Sequence, residues 1–478
     1  MEQEQKSCLA NGGWVQSATG KSFPVFSPTT NQLLARVPKL SEQEIRAAID
    51  CSHHAFQAWR TTPAHTRSEI LTNLGTYLLD TREQLAAIIS AEQGKPIKEA
   101  LGEVQYSAQY MQCYAEEALR LTTEAIEDKD SPKHLEVQSR PIGVVAAITP
   151  WNFPLAMLAR KMAAALAAGC TFIAKPAPET PLSALALGEA CCYVKVPTDV
   201  VQIVTGDAET IGRELMQSKI VRGVSFTGST ATGKLLIEQS SSTVKKLTLE
   251  LGGNAPCIIC KDADIEDAVQ GVLLGKFRNA GQVCIAINRL LVHEDIVPEI
   301  SRKLAHAVSQ LTLYGNESAP YDIGPLINSA AVNKVVRLVT DALDQGATLE
   351  YGTIPTASTE STLVKPCILS GVTPTMAIWH EEIFGPILSM TTFSDTDEAI
   401  ALANDTDYGL ASYIYSSDIE AARAIAHHLD FGMVGINDTA ISNARAPFGG
   451  VKQSGFGREG GRYGIAEYME LQYQCISG

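Results

Sequence analysis

Residues 144–181 read VVAAITPWNFPLAMLARKMAAALAAGCTFIAKPAPETP. Two short apolar runs, 144–148 and 171–175, flank an alanine-rich segment of helix length, 155–168. Neither run alternates apolar with polar residues, so each reads as a strand covered on both faces. Strand, helix and strand in that order make a βαβ unit of a parallel sheet. The same rhythm continues downstream with a helix over 182–193, strands over 200–204 and 223–226, and a glycine-bearing turn over 228–233 that opens another helix. The fold class is therefore α/β, with a doubly wound, Rossmann-type sheet in this half.

A second series follows a boundary near Gly252 and Gly253. Strands are predicted over 256–259, 290–293, 387–393, 411–415 and 433–437, with helices over 265–278, 297–311, 331–345 and 419–428. Upstream of the opening stretch, SEQE at 41–44 has a capping-box pattern, and helical periodicity runs through 68–91 and 97–120. Residues 133–140 and the alternating AEYMELQYQC at 466–475 read as isolated strands. A strand at a terminus needs an edge, and both can lie on a partner subunit. Residues 354–362 read as a polar surface loop.

The chain has 478 residues, enough for two or three structural units. Its formal net charge is −15, which argues against nucleic acid or an anionic membrane as a partner. The first ten residues, MEQEQKSCLA, lack a basic segment followed by an apolar run, and the longest apolar stretch is too short to span a bilayer. The expected compartment is cytoplasmic. Eleven cysteines spread over this length do not make a disulfide scaffold. Cys257 and Cys260 form a CxxC without a second pair, and Cys191 and Cys192 read as packing, so no metal is expected.

The residues that can carry chemistry sit in turns. Cys284 ends GQVC, where a sulfur after a glycine turn can face a cleft as a nucleophile, or be a buried structural thiol. Glu250 in LELGG is a general base or a charge that holds the glycine turn. Asn152 in PWNFP can aim an amide at a developing oxyanion, or cap a rigid turn. Gly228 and Ser229 in FTGSTATG stand at a helix start that can contact a pyrophosphate, although their spacing is not the GxGxxG fingerprint. Lys175 ends a parallel strand within reach of ribose hydroxyls. Glu382 and Phe384 in EEIFGP offer a carboxylate and a ring for a second ribose and a base.

In this order and spacing, PWNFP, KPAPETP, SFTGST, LELGG, GQVC, EEIFGP and PFGGVKQSG resemble the aldehyde dehydrogenase superfamily over nearly the whole chain. The resemblance implies a dinucleotide-binding domain at 1–120 and 141–250, a catalytic domain at 251–440 and a β oligomerisation arm at 121–140 and 457–478. It assigns Cys284 as nucleophile, Glu250 as general base and Asn152 as oxyanion donor. It assigns Trp151, Lys175, Gly228, Ser229, Glu382 and Phe384 to the cofactor, NAD or NADP. It also implies a homodimer or homotetramer.

Within the superfamily the segments around FRNAGQVC and PFGGVKQSGFGREGGRYGIAEYMEL are most similar to succinate-semialdehyde dehydrogenases. Those enzymes hold the distal carboxylate of the substrate with two arginines and a serine, and the matching positions are Arg160, Arg278 and Ser442. Two guanidinium forks in a chain of net charge −15 suit a small anionic aldehyde. Succinate semialdehyde is the substrate this implies. Glutarate semialdehyde, another carboxylated semialdehyde, or sulfolactaldehyde would suit the same clasp.

Three departures stand out. Ala286 occupies the place where several relatives carry a second cysteine, which excludes a redox switch through that pair. Pro178 stands where NAD-preferring relatives have Glu and NADP-preferring ones often have Ser or Thr, so the cofactor preference is open. Arg445 in ISNARAP is either a rim residue in a surface ion pair or a third positive charge at the substrate mouth.

Overall fold

The computed structural model describes residues 5–130, 133–315, 320–356 and 361–477. Of the predicted loop at 354–362, residues 357–360 lie outside the described residues. The opening stretch builds strand Val144–Ile148, helix Pro154–Ala168 and strand Thr171–Lys175, with the two strands paired in parallel. The helix is buried along its whole length, which its alanines permit by letting neighbours approach closely.

The sheet continues through Val201–Ile203 on one side, and through Val221–Thr227 and Lys246–Glu250 on the other. Counted along the chain, these five parallel strands lie in the order 3-2-1-4-5. The order reverses between Val144–Ile148 and Val221–Thr227. In open parallel sheets a ligand crevice forms outside the carboxyl ends of the strands at such a reversal. The residues that leave those two ends are the PWN turn and Gly228–Ser229. A short antiparallel strand, Gly455–Phe456, closes the far edge.

The chain leaves this sheet at Glu250 and enters a second one at Ala255. The second sheet orders its strands as Thr348–Tyr351, Cys367–Ser370, Ile387–Phe393, Ile287–His293, Ala255–Ile259, Ala411–Tyr415 and Met433–Ile436. All neighbours are parallel except the Thr348–Tyr351 edge. Each sheet has its own buried apolar cluster. Cys257 belongs to the second one, and no group of three metal-ligating side chains occurs among the described residues. Among them no helix is long and apolar enough to cross a membrane.

One point corrects the sequence reading, and two more extend it. The two isolated strands do not each await a foreign edge: Met469–Ile476 pairs antiparallel with His134–Pro141, and Glu124–Ile126 flanks the latter. Only part of residues 457–478 lies in that small sheet. The Gly461–Ala466 helix packs on the first core, where Ile465 and Tyr468 are buried, so only Met469–Ile476 extends into the small sheet. Finally, residues before Ser41 form two hairpins, Cys8–Ala10 with Gly13–Val15 and Ser22–Phe26 with Leu33–Pro38. The predicted capping box is present, with Glu44 Oε2 accepting from the Ser41 N–H at 2.8 Å.

Candidate active site

Cys284 is delivered by a loop with an unusual backbone. Helix Ile265–Phe277 ends at Arg278, and Asn279, Ala280 and Gly281 then take φ of 51°, 52° and 75° in succession. Left-handed backbone at non-glycine residues costs of order 1–3 kcal/mol each and persists only where the surroundings enforce it. Here they do. Asn279 donates its amide N–H to Glu99 Oε2 at 2.8 Å and its side-chain Nδ2 to the Asn152 carbonyl at 3.0 Å. Gln282 Nε2 donates to the Asn279 carbonyl at 3.1 Å, and its Oε1 accepts from Ile327 N–H at 2.9 Å. Gly281 is packed so that an added Cβ would lie 2.2 Å from the Gly385 carbonyl oxygen.

Asn152 follows the central strand of the first sheet. Its Nδ2 donates to the Gln282 carbonyl at 2.9 Å, and its Oδ1 is buried with no hydrogen-bond partner among the described residues. The turn after one sheet is thus bonded directly to the loop that precedes a strand of the other.

Cys284 lies where two cavities meet. One, of about 270 Å³, is lined by Trp151, Asn152, Gly228, Ser229, Glu382 and Phe384 as well as by Cys284. The Trp151 and Phe384 rings meet edge to face with centroids 5.5 Å apart. Ser229 caps helix Thr230–Ser240 by accepting from Thr232 N–H. Gly228 is tight: an added Cβ would stand 2.5 Å from the Phe226 ring. Glu382 Oε1 accepts from Gly253 N–H at 3.0 Å, and burial pushes its carboxyl up to about 7. These features fit a dinucleotide at the strand-order reversal, with backbone and a helix start for phosphates, a carboxylate for hydroxyls and rings for a base.

The other cavity, of about 260 Å³, brings Arg160, Arg278 and Ser442 together with Cys284, beside Phe153 and Phe448. Arg160 is buried on the Pro154–Ala168 helix, with its guanidinium carbon 4.7 Å from the Phe448 ring centre. Its Nε is in ion-pair contact with Glu459 Oε2, while Nη1 and Nη2 are buried without hydrogen-bond partners among the described residues. Glu459 also holds Lys161, whose Nζ donates to Ser225 Oγ at 2.9 Å. Arg278 lies 5.4 Å from the Phe153 ring centre and is half-buried. Arg445 is elsewhere. It forms a two-pronged pair with Glu116, at 2.7 and 2.8 Å, on the exposed rim, so the reading of a third charge in the substrate mouth is set aside.

Glu250 and Lys175 line neither cavity. Glu250 ends its strand almost fully buried, with both carboxylate oxygens unpartnered among the described residues. Burial raises its carboxyl well above the usual range, the Glu459 charge adds to this, and Arg160, Lys161 and Arg458 oppose it. Burial likewise pushes the Cys284 thiol up to about 12, with Arg160 the largest opposing influence. Lys175 ends its strand buried, which lowers its ammonium against the pull of Glu179 and Asp207. Pro178 is exposed in the turn beyond it.

Sequence reading missed Lys334, which lines the dinucleotide cavity, and Lys95, Glu103 and Glu459, which brace the site. Lys334 stands on the exposed side of an ordinary amphipathic helix and gives no local signal. Lys95 in GKP and Glu459 in FGREGG each sit beside a glycine, with nothing local to show what they pair with.

The aldehyde dehydrogenase family model matches residues 14–473, and the chain belongs to that family. It is 46% identical to a 3-sulfolactaldehyde dehydrogenase of Pseudomonas putida, covering 99% of this chain and 97% of that one. It is 44% identical to an NADP(+) succinate-semialdehyde dehydrogenase of Escherichia coli K12, covering 99% and 98%. A crystal structure of a succinate-semialdehyde dehydrogenase from Burkholderia pseudomallei superposes with a TM-score of 0.96 at 45% identity, covering 99% of this chain and 98% of that one.

Proposed function

We propose that the protein oxidises a small anionic aldehyde, succinate semialdehyde by first preference, to the acid. The observation that carries this reading is that Cys284 is common to both cavities, one suited to a dinucleotide and the other ending in two arginines. In this reading the Cys284 sulfur adds to the aldehyde carbon and the thiol proton leaves with solvent or Glu250. Asn152 Nδ2 and the Cys284 backbone N–H hold the resulting oxyanion, and preorganised donors of this kind are worth about 3–4 kcal/mol each. A bound NAD or NADP supplies the hydride acceptor, held by Trp151, Lys175, Gly228, Ser229, Glu382 and Phe384, with Pro178 beside it. Glu250, once ionised, takes a proton from water as the water attacks the Cys284 thioester, and the acid leaves with Cys284 restored.

The arginines set the substrate class. Arg160, whose two Nη groups have no hydrogen-bond partner among the described residues, lines a cavity together with Arg278 and Ser442. A planar carboxylate fits such a fork, and so does a sulfonate, so sulfolactaldehyde and glutarate semialdehyde are the second reading. We infer that the chain acts in the cytoplasm as a homodimer or homotetramer through its small sheet. The exposed Leu471, Tyr473 and Ile476 on the Met469–Ile476 strand support that assembly.

The test of the core assignment is Cys284→Ala. It is expected to abolish reduced-nicotinamide formation from any aldehyde while cofactor binding, read by fluorescence titration, is retained. Turnover in that variant would remove Cys284 as nucleophile.

A further inference from the structure

Beneath the PWNFP turn lies a buried ion pair that none of the steps above uses. Lys95 follows helix Arg82–Gln93, and Glu103 stands in helix Ile97–Ala118; both side chains are fully buried. Lys95 Nζ donates to Glu103 Oε2 at 2.6 Å and to the backbone carbonyl of Asn152 at 2.7 Å. The ammonium also stands 3.8 Å from the centre of the Phe153 ring. The other oxygen of Glu103 accepts from the N–H groups of Leu155 at 2.9 Å and Ala156 at 3.1 Å. These belong to the first turn of the Pro154–Ala168 helix, which has no side-chain cap of its own.

The arrangement answers a local problem. A helix start leaves backbone N–H groups without partners, and the buried carbonyl just before it has no helical donor either. Glu103 satisfies the first and Lys95, with Asn279, satisfies the second. An apolar pair of similar volume would satisfy neither, although burying two charges is itself costly. The carbonyl that is held belongs to Asn152, so its peptide plane, and with it the Cα–Cβ direction of the side chain, is fixed from below. A charged donor makes that bond about twice as strong as a neutral one.

We propose that Lys95 and Glu103 are positioning residues for the Asn152 amide, acting on the oxyanion step without touching a reacting atom. This rests on the reading of Asn152 as oxyanion donor. Displacements of about 1 Å at such a donor cost orders of magnitude in rate. Both elements that Lys95 and Asn279 join, the turn carrying Asn152 and the loop carrying Cys284, then move as one body.

The test is a double-mutant cycle on the full-length enzyme, reading the rate of the first turnover of reduced nicotinamide with whichever of NAD and NADP supports activity. The variants are Asn152→Ala, the charge-neutral pair Lys95→Met/Glu103→Gln, and the three substitutions together. Asn152→Ala is expected to slow acylation about hundredfold or more. The neutral pair is expected to slow it about tenfold or more in the native background, and less than about twofold in the Asn152→Ala background. The loss is expected for butanal as well as for succinate semialdehyde, since the oxyanion forms with either. Equal losses in both backgrounds would overturn the proposal and leave Asn152 in place. No effect of Asn152→Ala itself would overturn both. If the neutral pair does not fold, Glu103→Gln alone keeps an acceptor for the helix N–H groups, weakens only the Lys95 anchor and is read by the same non-additivity.

Discussion

Arg160 turns its Nε to the carboxylate of Glu459, and its two Nη groups are buried without hydrogen-bond partners among the described residues. The protein thus holds the guanidinium by its Nε side, on a residue that lines the cavity shared with Cys284. Glu459 does this while also pairing with Lys161 and adding negative charge near Glu250. Arg160 and Glu250 thus share Glu459 as a neighbour, opposite in charge to the one and like in charge to the other.

That sharing predicts a pH effect with a definite sign. Glu250 works as a base only when ionised, and burial followed by the Glu459 charge holds its carboxyl high, so hydrolysis of the thioester rises with pH. Glu459→Gln removes the like charge and leaves Arg160 and Lys161 unneutralised. Both changes favour ionised Glu250, as does Arg458, which is unchanged. The rising limb of the steady-state kcat–pH profile is expected to move to lower pH. A shift to higher pH, or none, would separate Glu459 from Glu250.

Glu250→Gln separates the two halves of the reaction. The first turnover is expected to survive as a burst of reduced nicotinamide equal to the enzyme concentration, with the steady rate reduced about a hundredfold or more. An unchanged steady rate in stopped-flow traces would assign the hydrolytic proton transfer to another group.

Gly253 lies between the two sheets, where an added Cβ would stand 2.2 Å from the Cys284 carbonyl oxygen. Gly253→Ala is expected to destabilise the fold by about 1–3 kcal/mol. The larger effect falls on the nucleophile, whose loop must shift. Calorimetry and the alkylation rate of Cys284 check the two parts, and a native alkylation rate would show that the loop yields without cost.

The sequence made the βαβ core legible because buried parallel strands are unbroken apolar runs, as at Val144–Ile148 and Thr171–Lys175. Three-residue strands such as Cys8–Ala10 carry no periodicity, and Cys367–Ser370 is too brief to stand out from its loop. The turns that carry Asn152, Cys284 and Glu382 were visible through glycine and proline. Their braces were not: Lys95 with Asn152 and Arg160 with Glu459 are joined only by tertiary folding. Arg445 shows the converse. An unexpected charge in a site loop is drawn to Glu116 on a neighbouring helix, a pairing that no local pattern announces.

The central claim is that the arginine cavity selects an anionic aldehyde. The direct measurement is kcat/KM for succinate semialdehyde and for butanal, side by side, in the native enzyme and in Arg160→Met and Arg278→Met. The native enzyme is expected to prefer the semialdehyde by about a hundredfold or more, equivalent to about 2.7 kcal/mol. Each arginine variant is expected to lose about 2–5 kcal/mol of that discrimination, beyond any loss that both aldehydes share. Near-equal native rates, or equal losses for both aldehydes in the variants, would contradict the clasp and leave an aldehyde dehydrogenase whose substrate is set by other contacts.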